Sequence, residues 1–316
     1  MKKARVGFLY DQSFLNHDTG AGHPEHAGRL EAIVDAIRCW NRGAELQPLA
    51  ARPATAAEIA LVHDPYYVQR VEDECRLGRS SLSTGDTAIG GESFAVALRA
   101  AGGVLSAVDE VLGGRLDRTF CAVRPPGHHA SADRGRGFCI FNNVALAARH
   151  AQKKHGLERI VIADWDVHHG NGTQEIFYQD DSVLFMSTHQ WPLYPGTGAI
   201  DETGAGRGLG FTINRPFAAG AGNREIVGAF RDELLPAARR FRPDLTLISA
   251  GFDSRAGDPL GGFRVDDDGF RELTRLMLEI AAISGSGRLI SVLEGGYDPA
   301  GLASAVLAHL EEMLEA

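Results

Sequence analysis

Two periodicities alternate along this chain, and that alternation limits the folds open to it more than any other feature. Short, nearly unbroken apolar runs rich in β-branched residues lie at 6–10, 120–123, 160–163, 182–186, 210–213, 245–249 and 289–293. Longer stretches with apolar residues at helical spacing fill the gaps, at 25–41, 55–63, 65–77, 91–113, 141–155, 222–241, 267–284 and 299–315. A strand that is apolar on both faces must be covered on both faces. The pattern therefore predicts a three-layer α/β/α arrangement around a mostly parallel sheet. One helical stretch carries its own start signal, Thr55 followed three residues later by Glu58, a capping box. No repeat, low-complexity tract or Pro/Ser-rich linker divides the chain, so residues 1–316 read as a single catalytic-size domain.

Parallel sheets bind ligands beyond the carboxyl ends of their strands. The residues that follow four of the expected strands are therefore informative: Arg124-Pro-Pro-Gly-His128-His129, Asp164-Trp-Asp166-Val-His168-His169-Gly-Asn171, Ala250-Gly-Phe-Asp253 and Glu294-Gly-Gly-Tyr297. Asp166 and His168 are two apart, a spacing that at a strand end points both side chains the same way. With Asp253 from another strand they make three ligands and an open position, the pattern of a catalytic rather than a structural zinc site. Taken alone, the Asp-rich segment could equally be a polar loop bonded to itself.

His128 and His129 can serve as ligands, as surface residues, or as general acid and base. With the three metal ligands already supplied, and with Asp164 and Asn171 available to fix imidazole tautomers, the acid/base role is preferred. Tyr297 is either a buried structural phenol or a donor to an oxyanion. Gly137-Phe138 and Tyr194 are either core filler or the walls of a slot that grips an aliphatic chain.

Charge and cysteine use narrow the partners. Acidic residues outnumber basic ones, 41 to 32, and no Lys/Arg run occurs, which speaks against nucleic acid or an anionic membrane surface as partner. Such a balance does not repel a basic peptide or a polyamine. Cys39, Cys75, Cys121 and Cys139 form no CxxC pair and read as free thiols. The apolar run before Asp11 is five residues long, short of a secretory core, and no run approaches a membrane span. The expectation is a soluble, cytoplasmic protein.

The ordered segments HPEHAGRL, RPPGHHA, GFCIFNNVA, DWDVHHGNGTQ, SAGFD, GDPLGG and LEGGYD resemble the histone deacetylase and acetylpolyamine amidohydrolase superfamily, across 23–298. Asn171 makes the chain similar to the class II branch and its bacterial relatives. The resemblance implies the arginase/deacetylase fold and a zinc-dependent hydrolase that removes acetyl or another short acyl group from an amine. It implies zinc (or ferrous iron) on Asp166, His168 and Asp253, and His129 as general base beside Asn171. It also implies His128 paired with Asp164, and Tyr297 on the scissile carbonyl. Gly137, Phe138 and Tyr194 fall at the acyl-lysine tunnel, Arg29 near its floor, and Glu92 at a rim position that clamps the substrate backbone. A structural potassium ion is implied near Asp164, Asp166, His168, Ser187 and Thr188. Tyr194 departs from the Phe common in many members, which makes one side of the tunnel more polar.

Acylated lysine in a peptide or protein is the favoured substrate and an acetylpolyamine the alternative. The short 64–91 segment, and Leu260 where one polyamine-specific branch carries an acidic gatekeeper, lean toward lysine. A catalytically silent acyl-ligand-binding protein is the reading of another class.

Overall fold

The computed structural model describes residues 3–315. Eight strands, β1 (Val6–Leu9), β2 (Gln47–Leu49), β3 (Arg118–Cys121), β4 (Ile160–Asp164), β5 (Val183–Gln190), β6 (Thr212–Phe217), β7 (Leu245–Ala250) and β8 (Leu289–Leu293), form one sheet. Their spatial order is β2-β1-β3-β8-β7-β4-β5-β6, and every pairing is parallel. The central strands β3, β4, β7 and β8 are buried along their whole length. That burial is why β4, β7 and β8 run mostly apolar without a polar face.

Helices cover both faces. On one side α1 (Gly28–Cys39), α10 (Pro299–Glu315) and α9 (Asp267–Ala282) pack in series, and α9 meets α7 (Asn223–Ala229) and α8 (Leu235–Phe241). On the other, α4 (Ser93–Leu112) lies against α5 (Asn143–His155) and α3 (Pro65–Arg76), and the short α6 (Asn171–Phe177) contacts α5. α2 (Ala56–Ile59) begins in the expected capping box. The Thr55 hydroxyl accepts from the Glu58 N–H, and the Glu58 carboxylate accepts from Thr55 N–H at 2.8 Å. Asp64 caps α3, with Pro65 at its first position, and Asn142 caps α5.

The differences from the sequence reading have local causes. β2 was not expected: Gln-Pro-Leu is three residues long and polar, and its proline is tolerated because β2 is an edge strand. β6 runs to Phe217 through Asn214-Arg215-Pro216 at the opposite edge, where burial is incomplete and apolar patterning fades. The helical stretch 222–241 is interrupted by a π turn at Phe230–Leu234. Pro236, which lacks the N–H owed to residue 232, follows directly.

One row of the sheet sets the height of everything that matters chemically. Cys121, Val292, Ser249, Asp164 and Ser187 are successive partners across β3, β8, β7, β4 and β5. The four polar segments singled out above leave the sheet just beyond that row. Strands far apart in sequence, β3 with β8 and β7 with β4, are neighbours in space. The single-layer rim they share is the floor of the site.

Candidate active site

Asp166, His168 and Asp253 converge. His168 Nδ1 lies 2.9 Å from Asp166 Oδ1 and 3.1 Å from Asp253 Oδ2, and all three side chains are at most a tenth exposed. Backbone N–H groups fix the outer oxygens: Gly295 donates to Asp166 Oδ2 at 2.8 Å and Val167 to Asp253 Oδ1 at 2.8 Å. Gly295 must be glycine here, because a Cβ would come within 2.0 Å of Asp253 Oδ2. Burial, then the Asp166 charge, push the Asp253 carboxyl up to about 7. Burial disfavours charged His168, but its bonds to Asp166 and Asp253 outweigh this and raise it to about 10. Two buried carboxylates that hold an imidazole proton between them, with no Lys or Arg among the described residues bonded to either, form a donor set that suits a divalent cation. The trio therefore fits the zinc implied by its sequence pattern.

The adjacent histidines are built for different tasks. His128 Nδ1 is 2.9 Å from Asp164 Oδ2. Burial works against its charge, yet Asp164 and Asp166 together lift it to about 10. His129 Nδ1 is 2.7 Å from Asn171 Oδ1. An amide oxygen only accepts, so Nδ1 keeps the proton and Nε2 is a free base. Burial, followed by the fields of His128 and His168, holds His129 well below its ordinary value. The two rings are 4.0 Å apart. One loop thus holds a protonated and a neutral imidazole in contact.

Above this floor opens a cavity of about 290 Å3 lined by Phe138, Leu193, Tyr194 and Leu260 together with His129, His168 and Tyr297, with Asp86 and Gly137 completing it. Tyr194 stands edge-on to His129 at 5.1 Å, and Phe138 edge-on to Tyr297 at 6.0 Å. Gly137 has φ +57°, and a Cβ there would come within 2.3 Å of the His129 ring. Phe138 follows at φ +67°, a left-handed conformation costly for a non-glycine residue and found chiefly where function demands it. Burial and then Asp253 push the Tyr297 phenol well above its ordinary value, so it stays a proton donor.

Neither Glu92 nor Arg29 lines the slot: Glu92 lies away from it, and Arg29 lies beneath its floor. Glu92 is not in the cavity wall; its carboxylate accepts from Asn16 Nδ2 at 2.8 Å, outside the slot. The acidic wall residue is Asp86, whose Oδ1 accepts from Gly137 N–H at 2.7 Å and lies 3.4 Å from the Tyr194 hydroxyl. Arg29 is fully buried behind Tyr297, its guanidinium 5.0 Å over that ring. It donates to the carbonyls of Gly296 (2.6 Å) and Glu294 (2.5 Å) and to Glu25 (2.9 Å). Its hydrogen-bonding capacity is spent on the protein, so it shapes the floor without lining it.

The sequence reading also left residues without a role. Glu294 Oε2 accepts from the Gly127 and His128 N–H groups at 2.6 and 3.0 Å, which pins the His128–His129 loop to β8. Glu25 receives both Arg29 and Arg124, the latter through two nitrogens. Both carboxylates sit inside motifs quoted above; for Glu294 the signal was a charged residue at the end of an apolar strand, and for Glu25 its place in the HPEHAGRL segment before α1. Asp86 offered none beyond its turn-like Gly85-Asp86 setting. His169, beside His168, turns away to Thr197 and Gln174. All four cysteines are free thiols, as their spacing suggested, with Cys75, Cys121 and Cys139 buried. Among the described residues no helix is long and apolar enough to cross a membrane.

A family profile described as "Histone deacetylase domain" matches residues 23–313. The chain is 43% identical over 308 residues to the human polyamine deacetylase HDAC10, covering 92% of this chain and 44% of that one. It is 37% identical to a histone deacetylase-like amidohydrolase of Pseudomonas aeruginosa, covering 98% and 86%. Among solved structures, the HDA15 HD domain superposes with a TM-score of 0.93 at 37% identity, covering 98% of this chain and 90% of that one.

Proposed function

The chain belongs to the histone deacetylase family and is a deacetylase, and from that premise we propose that it hydrolyses the amide of Nε-acyl-lysine in peptides or proteins, acetyl being the favoured acyl group. The observation that carries this reading is the slot itself. Apolar walls from Phe138, Leu193, Tyr194 and Leu260 suit an aliphatic side chain, and they lead to His129, His168 and Tyr297.

Asp166, His168 and Asp253 would hold zinc, or ferrous iron, which the same donors accept. When bound, such an ion supplies Lewis acidity to water and to the acyl carbonyl. The neutral Nε2 of His129 takes the proton of the attacking water, and Asn171 holds the tautomer that makes this possible. The Tyr297 hydroxyl donates to the carbonyl oxygen as negative charge develops there. The departing nitrogen receives a proton from the imidazole pair, and His128, kept protonated by Asp164, sustains the positive field around the oxyanion. The products are a carboxylate and a free amine. A structural potassium ion beside Asp164, Asp166, His168, Ser187 and Thr188 belongs to the same reading. Its support is the pairing of Asp164 with Ser187 and a Thr188 hydroxyl buried without a partner.

Asp86 admits a second substrate class. A carboxylate at the slot wall can accept from peptide N–H groups or from the ammonium of an acetylpolyamine. Parallel assays of the zinc-loaded protein on an acetyl-lysine peptide and on N-acetylputrescine, with Tyr297→Phe as control, separate the two. Turnover of the peptide is expected. Turnover of the polyamine alone would reassign the substrate, and zinc binding with neither reaction would favour a silent acyl-ligand binder.

A further inference from the structure

Interleaved in sequence with the catalytic motifs, the C-terminal parts of α4 and α5 bring together Asp109, His150 and His155. Asp109 Oδ1 lies 2.9 Å from His150 Nε2 and 2.8 Å from His155 Nε2. The three donor atoms all fall within 4.8 Å of one another. The imidazoles are 5.9 Å apart, ring centre to ring centre, and lie edge to face. His150 is buried, and Asp109 and His155 are half-buried. We propose that Asp109, His150 and His155 form a second metal site, for a transition-metal dication of the zinc type, distinct from the catalytic trio.

The geometry of the catalytic trio is the yardstick. There one imidazole nitrogen sits 2.9 and 3.1 Å from two carboxylate oxygens. Here one carboxylate oxygen sits 2.9 and 2.8 Å from two imidazole nitrogens. Ligands about 2.0–2.2 Å from a tetrahedral ion stand roughly 3.3 Å apart, close to both sets. Two nitrogens and one oxygen are donors that zinc accepts, and partial exposure leaves room for water as the fourth ligand. Burial, partly offset by Asp109, holds His150 below its ordinary value, so its ring carries no charge to oppose a cation. The opposing feature is Lys154, whose ammonium lies 2.8 Å from the other Asp109 oxygen. It neutralises the carboxylate and repels a cation, which makes it a tuning residue.

An ion here would clamp α4 to α5. α4 leads into β3, which carries the His128–His129 loop, and α5 leads into β4, which carries Asp166 and His168. The clamp would act on stability and leave the reacting groups untouched.

Zinc titration of the metal-stripped full chain, in competition with a chromophoric chelator, is the test. Two zinc ions per chain are expected in the unaltered protein, and one in each of His155→Gln, Asp109→Asn and Asp253→Asn. His155→Gln should retain deacetylase turnover while its second site weakens by at least the roughly 10–100-fold that loss of even an outer-shell partner causes. Lys154→Ala should tighten the second site about two- to fivefold, the range of a screened surface charge pair. In Asp253→Asn, added zinc should still raise Tm by a few degrees, and His155→Gln in that background should abolish the rise. A single zinc per chain that disappears with Asp253→Asn overturns the proposal. So do two ions per chain in both His155→Gln and Asp109→Asn, or an unchanged second affinity in Lys154→Ala.

Discussion

Two buried charge clusters lie back to back at the carboxyl rim of the sheet, and they are constructed on opposite terms. In the first, Glu25 is enclosed by two guanidiniums, those of Arg29 and Arg124, all fully buried. Burial alone would raise the Glu25 carboxyl, but Arg124 and then Arg29 overcome it and hold it far below the usual range. In the second, Asp164, Asp166 and Asp253 share a buried volume with His128 and His168, and among the described residues no Lys or Arg bonds to any of the three. A carboxylate matched by a permanently charged partner is finished as it stands. Carboxylates matched only by titratable imidazoles retain an unmet demand for positive charge, and that demand is what a binding site consists of.

The sharpest way to break this contrast is to empty the second cluster. Asp253→Ala should abolish stoichiometric zinc at the catalytic trio and lower turnover by on the order of 10³-fold or more, because the acidification of water is lost with the ion. Metal analysis alongside a deacetylation assay checks this, and full activity would sink the assignment. Removing the carboxylate of the first cluster should act on folding instead. Glu25→Gln leaves two buried guanidiniums without their counterion and should destabilise the protein by about 3–5 kcal/mol, measured by denaturant unfolding, with zinc stoichiometry unchanged. If its zinc content fell while stability held, the two clusters would not be separable.

Tyr297→Phe sits between the clusters, touching Arg29 on one side and the slot on the other. It should keep its metal and lose about 10²–10³-fold in kcat, the effect of deleting one oxyanion donor. The smallest effect is on pH. His17, against Glu25, is held at about 4 by burial first, and His63 and His309 are likewise depressed by burial, to about 4 and about 3. Their folded values lie below the unfolded value of about 6.5, so the unfolded chain binds their protons first. Their contribution is therefore complete above about pH 6.5 and is lost as pH falls toward 4. Tm measured across that window should decline, and His63→Gln should flatten the slope.

The sheet was legible where burial is complete on both faces. β4, β7 and β8 lie within a residue of their expected spans, because burial on both faces keeps most of their side chains apolar. It was illegible at the edges, where Gln47-Pro48-Leu49 and Asn214-Arg215-Pro216 are held by pairing and not by pattern. The same division runs through the site. Asp166, His168, Asp253, His128 and His129 follow apolar strands directly, so their height and direction are fixed by the strand before them. Asp86 lies in an aperiodic loop, and its place at the slot depends on the Gly137 N–H, 51 residues away. Nothing in local spacing distinguishes it from Glu92, which faces Asn16 instead.

The strand order carries one more consequence, for synthesis. β1–β3 and β4–β6 can each pair as soon as they emerge, but they are not neighbours: β8 and β7 must be inserted between them. Until residues 245–293 are made, the nascent chain therefore consists of two three-stranded halves, each with an unpaired edge, at β3 and at β4, that is fully buried in the finished sheet. Such edges are templates for aggregation. Those late strands also deliver Asp253 and Tyr297, so the last pieces to close the sheet complete the active site, and a chain that stops short is left both inactive and prone to associate through the gap.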